Sequence, residues 1–228
     1  MRSQSADVCT EGAPAILVRA MRSAEKLHGE CAAMLFLAAY IFVLRVPSEG
    51  FPMCRAGVGP LASTAQSSLY LEGEEVRIPW ILCVACVSWW GVQVVLRLAR
   101  RKNRPQGSVL RRACWCRQCV DTCPRHVLWP YFQKLAVGQA PFAGLSPSSA
   151  NDLLRQCLAA GRVPKAAAFR CHDLRRGHCK DLQQAGATLR AILEAGEWTS
   201  PRYLEYLDLE ELERDIVIDA HLVESDEE

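Results

Sequence analysis

The segment Phe169–Asp208 has the sequence FRCHDLRRGHCKDLQQAGATLRAILEAGEWTSPRYLEYLD. Apolar residues recur at helical spacing on both sides of Gly186, and this pattern predicts two helices, His172–Ala185 and Thr188–Ala195. A last helix is predicted over Pro201–Asp215. This end of the chain is therefore predicted to be helical.

The first of these helices carries a basic pair near its start. His172 and Arg175 are three residues apart, a spacing that puts both side chains on one face, where they can meet one anion. The positive end of the helix dipole adds to that attraction. Two tyrosines, Tyr203 and Tyr206, follow Trp198 closely in the chain. The segment thus combines an anion-binding face with two phenol groups.

The rest of the chain predicts more helices and one β-hairpin. Helical periodicity is found over Ala13–Leu27, Glu30–Leu44, Trp129–Leu135 and Ser149–Ala160. Val92–Ala99 and Ser108–Arg112 flank a basic turn and are predicted to pair as a hairpin, and Leu69–Val76 is a short strand candidate. The predicted fold is α+β, mainly helical with a small antiparallel β-sheet.

The composition is that of a folded protein with uneven charge. Half of the 228 residues are hydrophobic and 23% are charged, which excludes intrinsic disorder for most of the chain. The net charge is only +2, yet just three of the 27 lysines and arginines lie in residues 181–228. A basic body followed by an acidic tail indicates a polyanionic partner for residues 1–180.

Several motifs together resemble the catalytic domain of the tyrosine recombinases, the phage-integrase-like enzymes that break and rejoin DNA. That family has an H-x-x-R motif, then a helix–turn–helix ending in Gly-His or Gly-Trp, then a tyrosine. His172-Asp173-Leu174-Arg175, Gly196-Glu197-Trp198 and Tyr206 follow this order. The family also has an arginine closely followed by an acidic residue after an apolar helix, and Leu44-Arg45-Val46-Pro47-Ser48-Glu49 is similar to it. The family's catalytic lysine lies on a β-hairpin between these motifs, where Lys102 is found.

The resemblance implies cleavage of DNA through a covalent 3′-phosphotyrosyl intermediate, as in site-specific recombination or the integration of a mobile element. The implied catalytic residues are Arg45, Lys102, His172, Arg175, Trp198 and Tyr206. Paired arginines can clamp the charged phosphoryl oxygens with forked donors, His172 is the candidate base, and Lys102 is the candidate acid. No cofactor is required for this chemistry, and the implied partners are double-stranded DNA and further copies of the chain bound to it.

The sequence also departs from the family pattern. Tyr206 follows Trp198 by eight residues, one short of the usual spacing, and Tyr203 is the alternative nucleophile. Glu49 follows Arg45 by four residues rather than three. Too few residues precede Arg45 for the family's N-terminal DNA clamp, and residues 77–94 look like a hydrophobic insertion that interrupts one strand. These departures favour an alternative, a catalytically degenerate nucleic-acid-binding module.

The segment around the hairpin is strongly basic. Residues 97–125 contain nine lysines and arginines and one aspartate, as expected of a surface that follows a DNA backbone. The expected backbone contacts are Arg97, Arg100, Arg101, Arg104, Arg111 and Arg112.

A cysteine-rich cluster occupies residues 114–126. Its spacing, Cys114-x-Cys116-x2-Cys119-x3-Cys123-x2-His126, offers five soft ligands where zinc takes four. The favoured set for a structural zinc is Cys116, Cys119, Cys123 and His126, with Cys114 left over. Reduced cysteines packed as small hydrophobic residues are the alternative.

One apolar run is long enough to raise the question of a membrane. Ile78–Leu96 is uncharged for 19 residues, which reaches the lower limit for a spanning helix. We favour a buried strand preceded by a hydrophobic insertion. A membrane protein anchored by residues 78–96 is the third hypothesis, after the recombinase and the degenerate binding module.

The expected organisation is a flexible N-terminus (1–14), a recombinase-like domain (15–216) and an acidic tail (217–228). The N-terminus lacks the apolar core of a secretory signal, so a nuclear or cytoplasmic location is expected.

Overall fold

The computed structural model describes residues 13–51, 53–55, 67–72, 93–101, 104–198 and 207–208. Within them the fold is α+β and mainly helical, with one small sheet, as predicted. The described residues form six α-helices, α1 (Ala13–His28), α2 (Glu30–Ile41), α3 (Trp129–Gln133), α4 (Ala150–Ala160), α5 (Cys171–Gln184) and α6 (Leu189–Gly196). The four strands are β1 (Met53–Arg55), β2 (Ser67–Glu72), β3 (Gln93–Leu98) and β4 (Ser108–Ala113).

Helix α2 forms the centre of the core. Its residues from Ala32 to Ile41 are all buried, because the helix is apolar on every face and is covered on all sides. Helix α1 packs against α2, α4 and α5 through an apolar stripe that includes Leu17, Ala20 and Ala24. The chain remains buried beyond the end of α2 as far as Leu44. The end of α2 therefore lies deep inside the molecule, next to the candidate site.

The sheet has the order β1-β2-β3-β4. Strands β3 and β4 form the predicted antiparallel hairpin, with Leu96 opposite Leu110. Strand β2 pairs antiparallel to β3, with Tyr70 opposite Val95. Strand β1 is a short parallel edge strand, which the sequence did not predict.

The prediction that residues 77–94 interrupt a single strand is wrong, because β2 and β3 pair as two separate strands; the insertion itself lies outside the described residues except for Gln93 and Val94. These strands are neighbours in the sheet, not two halves of one interrupted strand, and Val94 already belongs to β3. The chain between them, residues 73–92, lies outside the described residues. No helix of the described residues is long and apolar enough to cross a membrane.

Other predictions fall partly or wholly outside the described residues. The predicted flexible N-terminus is one, although α1 already begins at Ala13, inside that range. The acidic tail and the predicted helix Pro201–Asp215, apart from Leu207 and Asp208, are others.

Candidate functional site

Four of the six predicted catalytic residues meet in one region of the molecule. Arg45 follows α2, His172 and Arg175 lie on α5, and Trp198 follows α6. The other two, Lys102 and Tyr206, lie outside the described residues, as does Tyr203. We use the name arginine pocket for the group formed by Arg45, Glu49, Arg101, His172, Arg175, Glu197 and Trp198.

Arg175 lies at the base of the arginine pocket and is only 1% exposed. Its Nη1 donates to the carbonyl oxygen of Val43 at 2.9 Å and its Nη2 to that of Gly196 at 3.2 Å. The guanidinium carbon lies 4.5 Å from the centre of the Trp198 ring, within the range of a cation–π contact. Burial, aided by the charges of Arg101 and Arg45, lowers the pKa of Arg175 to about 10, so it keeps its charge at neutral pH.

The two segments whose carbonyl groups accept from Arg175 have unusual backbone conformations. Val43 adopts a left-handed conformation with φ of 54°, which is uncommon for a β-branched residue. At the end of α6, a Cβ on Gly196 would lie 1.8 Å from the Trp198 ring, so only glycine leaves room for the stack. Glu197 follows with φ of 49° and ends the helix.

Arg45 is held by the acidic residue that follows it. Glu49 accepts from the Arg45 amide at 2.9 Å and from its Nη1 at 3.0 Å. The residues between them form one π-helical turn, Val46–Gly50, and this wider turn accommodates the four-residue spacing. The Arg45 side chain is 26% exposed whereas that of Glu49 is 1% exposed. Arg45 is therefore fixed from below and open to solvent above.

Arg101 belongs to the arginine pocket and not to the DNA-facing surface on which the basic hairpin sequence predicts it. Its side chain is 2% exposed. It donates to Glu49 at 3.2 Å, to Glu197 at 2.9 Å and to the Val43 carbonyl at 3.1 Å. This placement corrects the expected backbone contact, because a guanidinium committed to three internal acceptors is not presented to a DNA strand. No local pattern in the sequence predicts the burial of Arg101, because the chain bends after β3 and the alternation of strand faces no longer applies.

Arg112 is a second correction to the predicted DNA contacts. It donates to the carbonyl oxygens of Ile41 at 2.8 Å and Ala195 at 2.9 Å, and its guanidinium lies 5.6 Å from the centre of the Phe42 ring. It therefore ties the end of α2 to the end of α6. Strand alternation offered a signal here, because Arg112 lies two residues after the buried Leu110 and so shares its face. Among the other expected contacts, Arg100, Arg104 and Arg111 are exposed and Arg97 is half-buried.

His172 lies at the start of α5, within reach of the pocket's charges. Burial, together with the positive charges of Arg175, Arg176 and Arg45, lowers the pKa of His172 below its usual value. A neutral imidazole at neutral pH can accept a proton. His172 therefore has the protonation state that a general base requires.

The chain returns to the pocket at Leu207 and Asp208. Leu207 is buried with Val43, Cys179 and Ile192. The backbone of Asp208 makes a pair of hydrogen bonds with the Gln183 side chain, at 2.8 and 3.0 Å. The residue that follows Tyr206 is thus anchored beside Val43, whose carbonyl holds Arg175.

A separate cluster of thiols lies where β4 ends. Cys114, Cys123 and His126 have ligand atoms within 4.8 Å of one another, so this group can hold a metal ion. The Sγ atoms of Cys114 and Cys123 are 3.5 Å apart, and His126 Nδ1 lies 3.5 Å from Cys114 and 3.2 Å from Cys123. Burial and the charge of Arg125 lower the pKa of His126, which favours the neutral imidazole that metals bind. We call this group the thiol cluster.

The members of the thiol cluster differ from the predicted set. Cys114, which was not in the predicted set, is part of the group, whereas Cys116 and Cys119, which were, are not. Cys116 lies beside it, with its Sγ 3.3 Å from that of Cys114. The difference arises because Cys119 precedes a short 3₁₀ turn, Val120–Thr122, while Cys114 ends the hairpin at the place where Cys123 returns. Residue spacing alone does not reveal this folding back.

Comparison of the chain with protein-family models, curated proteins and solved structures found no match.

Proposed function

We propose that the chain cleaves and rejoins DNA strands through a tyrosine nucleophile. The observation that supports this most directly is that Arg45, His172, Arg175 and Trp198 meet in the arginine pocket although up to 153 positions separate them. A buried arginine, a half-exposed arginine and a neutral histidine form a site suited to a phosphodiester. The resemblance to the tyrosine recombinases supports the same function.

In the proposed reaction the Tyr206 phenol oxygen attacks the phosphorus atom of a DNA phosphodiester. A 3′-phosphotyrosyl bond forms, and the bond between phosphorus and the 5′-oxygen breaks. His172 takes the phenol proton, and Lys102 supplies a proton to the departing 5′-oxygen. Arg45 and Arg175 stabilise the negative charge on the phosphoryl oxygens, an effect worth roughly 3–4 kcal/mol per donor in other enzymes.

The free donors of the two arginines limit how they can act. A guanidinium has five N–H groups, and those of Arg175 that bond Val43 and Gly196 account for two. Arg45, whose side chain is 26% exposed, is the more accessible of the two. In the proposed complex, Arg45 therefore contacts the phosphate, and Arg175, which is 1% exposed beneath the Trp198 ring, adds its positive charge from below.

The proposal is tested with a nicked duplex that traps a covalent adduct when the cleaved fragment diffuses away. Wild-type protein is expected to give an adduct that survives denaturation, and Tyr206→Phe is expected to give none. Tyr203→Phe is the matched control and is expected to retain the adduct. An adduct lost only in Tyr203→Phe would move the nucleophile, and no adduct in the wild type would contradict the proposal.

A second candidate function is nucleic-acid binding without turnover. The burial of Arg175 beneath Trp198 favours it, because a structural arginine needs no access to phosphate. The exposed arginines of the hairpin supply the binding surface in this case. The same assay separates the candidates, since a binding module retards the duplex in a native gel but forms no covalent adduct.

The recombinase proposal carries expectations about partners. Double-stranded DNA is the proposed substrate, with more than one copy of the chain assembled on it. Because the proposed substrate is DNA, the proposed cellular location is the nucleus or the cytoplasm. Cross-linking with and without duplex DNA tests the assembly, and dimers or larger species are expected only with DNA.

For the thiol cluster we propose a structural zinc ion bound by Cys114, Cys116, Cys123 and His126. Ideal tetrahedral zinc with its usual bond lengths places sulfur atoms about 3.8 Å apart and sulfur and nitrogen about 3.6 Å apart. The distances among Cys114, Cys123 and His126, 3.2–3.5 Å, are close to these values. Cys116 Sγ lies 3.3 Å from that of Cys114 and would have to move closer to the rest of the group to complete the tetrahedron. When bound, zinc would link the end of β4 to the following helical turns and stabilise the fold.

Metal analysis of purified protein tests the revised zinc ligand set. Cys114→Ser is expected to lose zinc, and Cys119→Ser, the matched control, is expected to retain it. Loss of zinc from Cys119→Ser together with retention in Cys114→Ser would restore the set that the spacing suggested.

A further inference from the structure

We propose that Arg101 is the positioning residue of the arginine pocket, an inference that rests on the function proposed above. Its main chain is fixed first, because Arg101 and Arg104 exchange two backbone hydrogen bonds of 3.0 Å at the end of the hairpin. The side chain then points into the protein, where Nε, Nη1 and Nη2 each bond a different group. Each of these groups also holds one of three residues of the arginine pocket, Arg45, Arg175 or Trp198.

The first link runs to Arg45. The Glu49 oxygen that accepts from Arg45 Nη1 at 3.0 Å also accepts from Arg101 Nε at 3.2 Å. Both Glu49 and Arg101 are almost fully buried. Because a buried carboxylate needs full pairing, Arg101 keeps Glu49 in the position from which it orients Arg45.

The second link runs to Arg175. Arg101 Nη2 and Arg175 Nη1 donate to the same carbonyl oxygen, that of Val43, at 3.1 and 2.9 Å. A carbonyl oxygen has two lone pairs, so the two arginines together saturate it. This shared acceptor fixes the spacing between the two guanidinium groups.

The third link runs to Trp198. Arg101 Nη1 pairs with Glu197 at 2.9 Å, and Glu197 holds the left-handed conformation between Gly196 and Trp198. Such a conformation persists only where the surroundings impose it. The ion pair thus stabilises the turn that lays the Trp198 ring over Arg175.

The forked shape of arginine is required for this role. Three acceptors in three directions match the planar guanidinium, whereas a lysine ammonium acts as a compact point charge. Arg101→Lys is therefore expected to retain the charge balance with Glu49 and Glu197 but to lose part of the geometry. Arg101→Met loses both.

The experiment measures the rate of covalent adduct formation at saturating nicked DNA and, separately, the DNA dissociation constant by anisotropy. Arg101→Met is expected to lower the rate about 100-fold, the effect of a misplacement of about 1 Å, and to change the dissociation constant less than threefold. Arg101→Lys is expected to recover part of the rate. Arg190→Met, at an arginine of α6 whose side chain is 88% exposed, is the matched control and is expected to keep the wild-type rate.

A second readout does not depend on DNA chemistry. The emission of Trp198, taken as the difference between wild type and Trp198→Phe, is expected to change in Arg101→Met but not in Arg190→Met. If Arg101→Met does not fold, Glu197→Gln is used in its place. This substitution weakens only the ion pair between Arg101 and Glu197, and the Glu197 side chain is 16% exposed. A smaller loss of the adduct-formation rate and a changed Trp198 emission are expected.

The outcomes separate this inference from the proposed function. A wild type that forms no adduct, with an Arg101-dependent Trp198 emission, contradicts the function and leaves the positioning role supported. A wild-type adduct that Arg101→Met forms at full rate overturns the positioning role alone. A rate loss matched by an equal loss of DNA affinity also overturns it, because Arg101 would then contact DNA directly.

Discussion

Gly196→Ala is the substitution that most directly tests how the arginine pocket is built. The added Cβ would lie 1.8 Å from Trp198 Cζ3 and 2.2 Å from Cε3, so the indole ring has to move. That ring covers Arg175 at 4.5 Å, and the Gly196 carbonyl accepts from the same guanidinium. One methyl group is therefore expected to disturb both contacts that meet at Arg175.

The magnitude follows from three contributions. Forcing a methyl group into a packed site costs about 1–3 kcal/mol, and loss of a desolvated cation–π contact costs up to about 2 kcal/mol. Alanine in place of glycine returns up to about 1 kcal/mol of helix propensity, less at the last residue of α6. We expect Gly196→Ala to lower the free energy of unfolding by about 2–3 kcal/mol.

Urea unfolding followed by circular dichroism measures this loss, and a double-mutant cycle assigns it. In a Trp198→Ala background the clash is absent, so Gly196→Ala is expected to change the free energy of unfolding by less than about 0.5 kcal/mol. Equal losses in both backgrounds would refute the reasoning, because the cost would then arise in the backbone and not from the indole ring.

Three further predictions concern stability. Burial lowers the pKa of His178 to about 3, while the unfolded side chain titrates near about 6.5. Because the unfolded chain then binds more protons, the free energy of unfolding is expected to fall by about 1 kcal/mol per pH unit as the pH drops from 6.5 toward 3. Urea titrations at several pH values measure this slope, and His178→Gln is expected to remove it. Arg112→Met strands two buried carbonyls and is expected to cost about 2–4 kcal/mol in urea unfolding, while its exposed neighbour variant Arg111→Met changes stability by less than about 0.5 kcal/mol. Thr188→Ala removes the hydroxyl that accepts from the Ala191 amide at 3.3 Å and is expected to cost about 1 kcal/mol in thermal unfolding, with Thr188→Ser close to wild type.

Much of the fold could be predicted from local patterns. The predicted helix Ala13–Leu27 is α1, and the predicted hairpin is formed by β3 and β4. These elements are readable because a helix or a hairpin turn places its own sequence neighbours in contact. The pairing of β2 with β3 was not predicted, since it joins segments separated by the long connection 73–92.

The candidate site, like the fold, has some features that the sequence suggested and others that it did not. The motif order suggested that Arg45 and Arg175 act together, and the structure places both next to groups that Arg101 also binds. The catalytic roles of all six residues remain predictions, and Tyr206 and Lys102 also lie outside the described part of the chain. The role of Arg101 had no signal in the sequence, since several arginines of the same hairpin are locally equivalent.

By itself, the sequence determined most of the helices of the described residues and the place of the basic hairpin, and it suggested the residues of the proposed phosphate site. These features depend on periodicity and short spacing, which the order of residues states directly. Only the tertiary structure decided that Arg101 and Arg112 turn inward and that Cys114, not Cys119, faces Cys123 and His126. The physical reason is that a buried charge or thiol is placed by its partners, and Glu49, the Val43 carbonyl and the Ile41 carbonyl are supplied by segments more than 50 residues away in the chain.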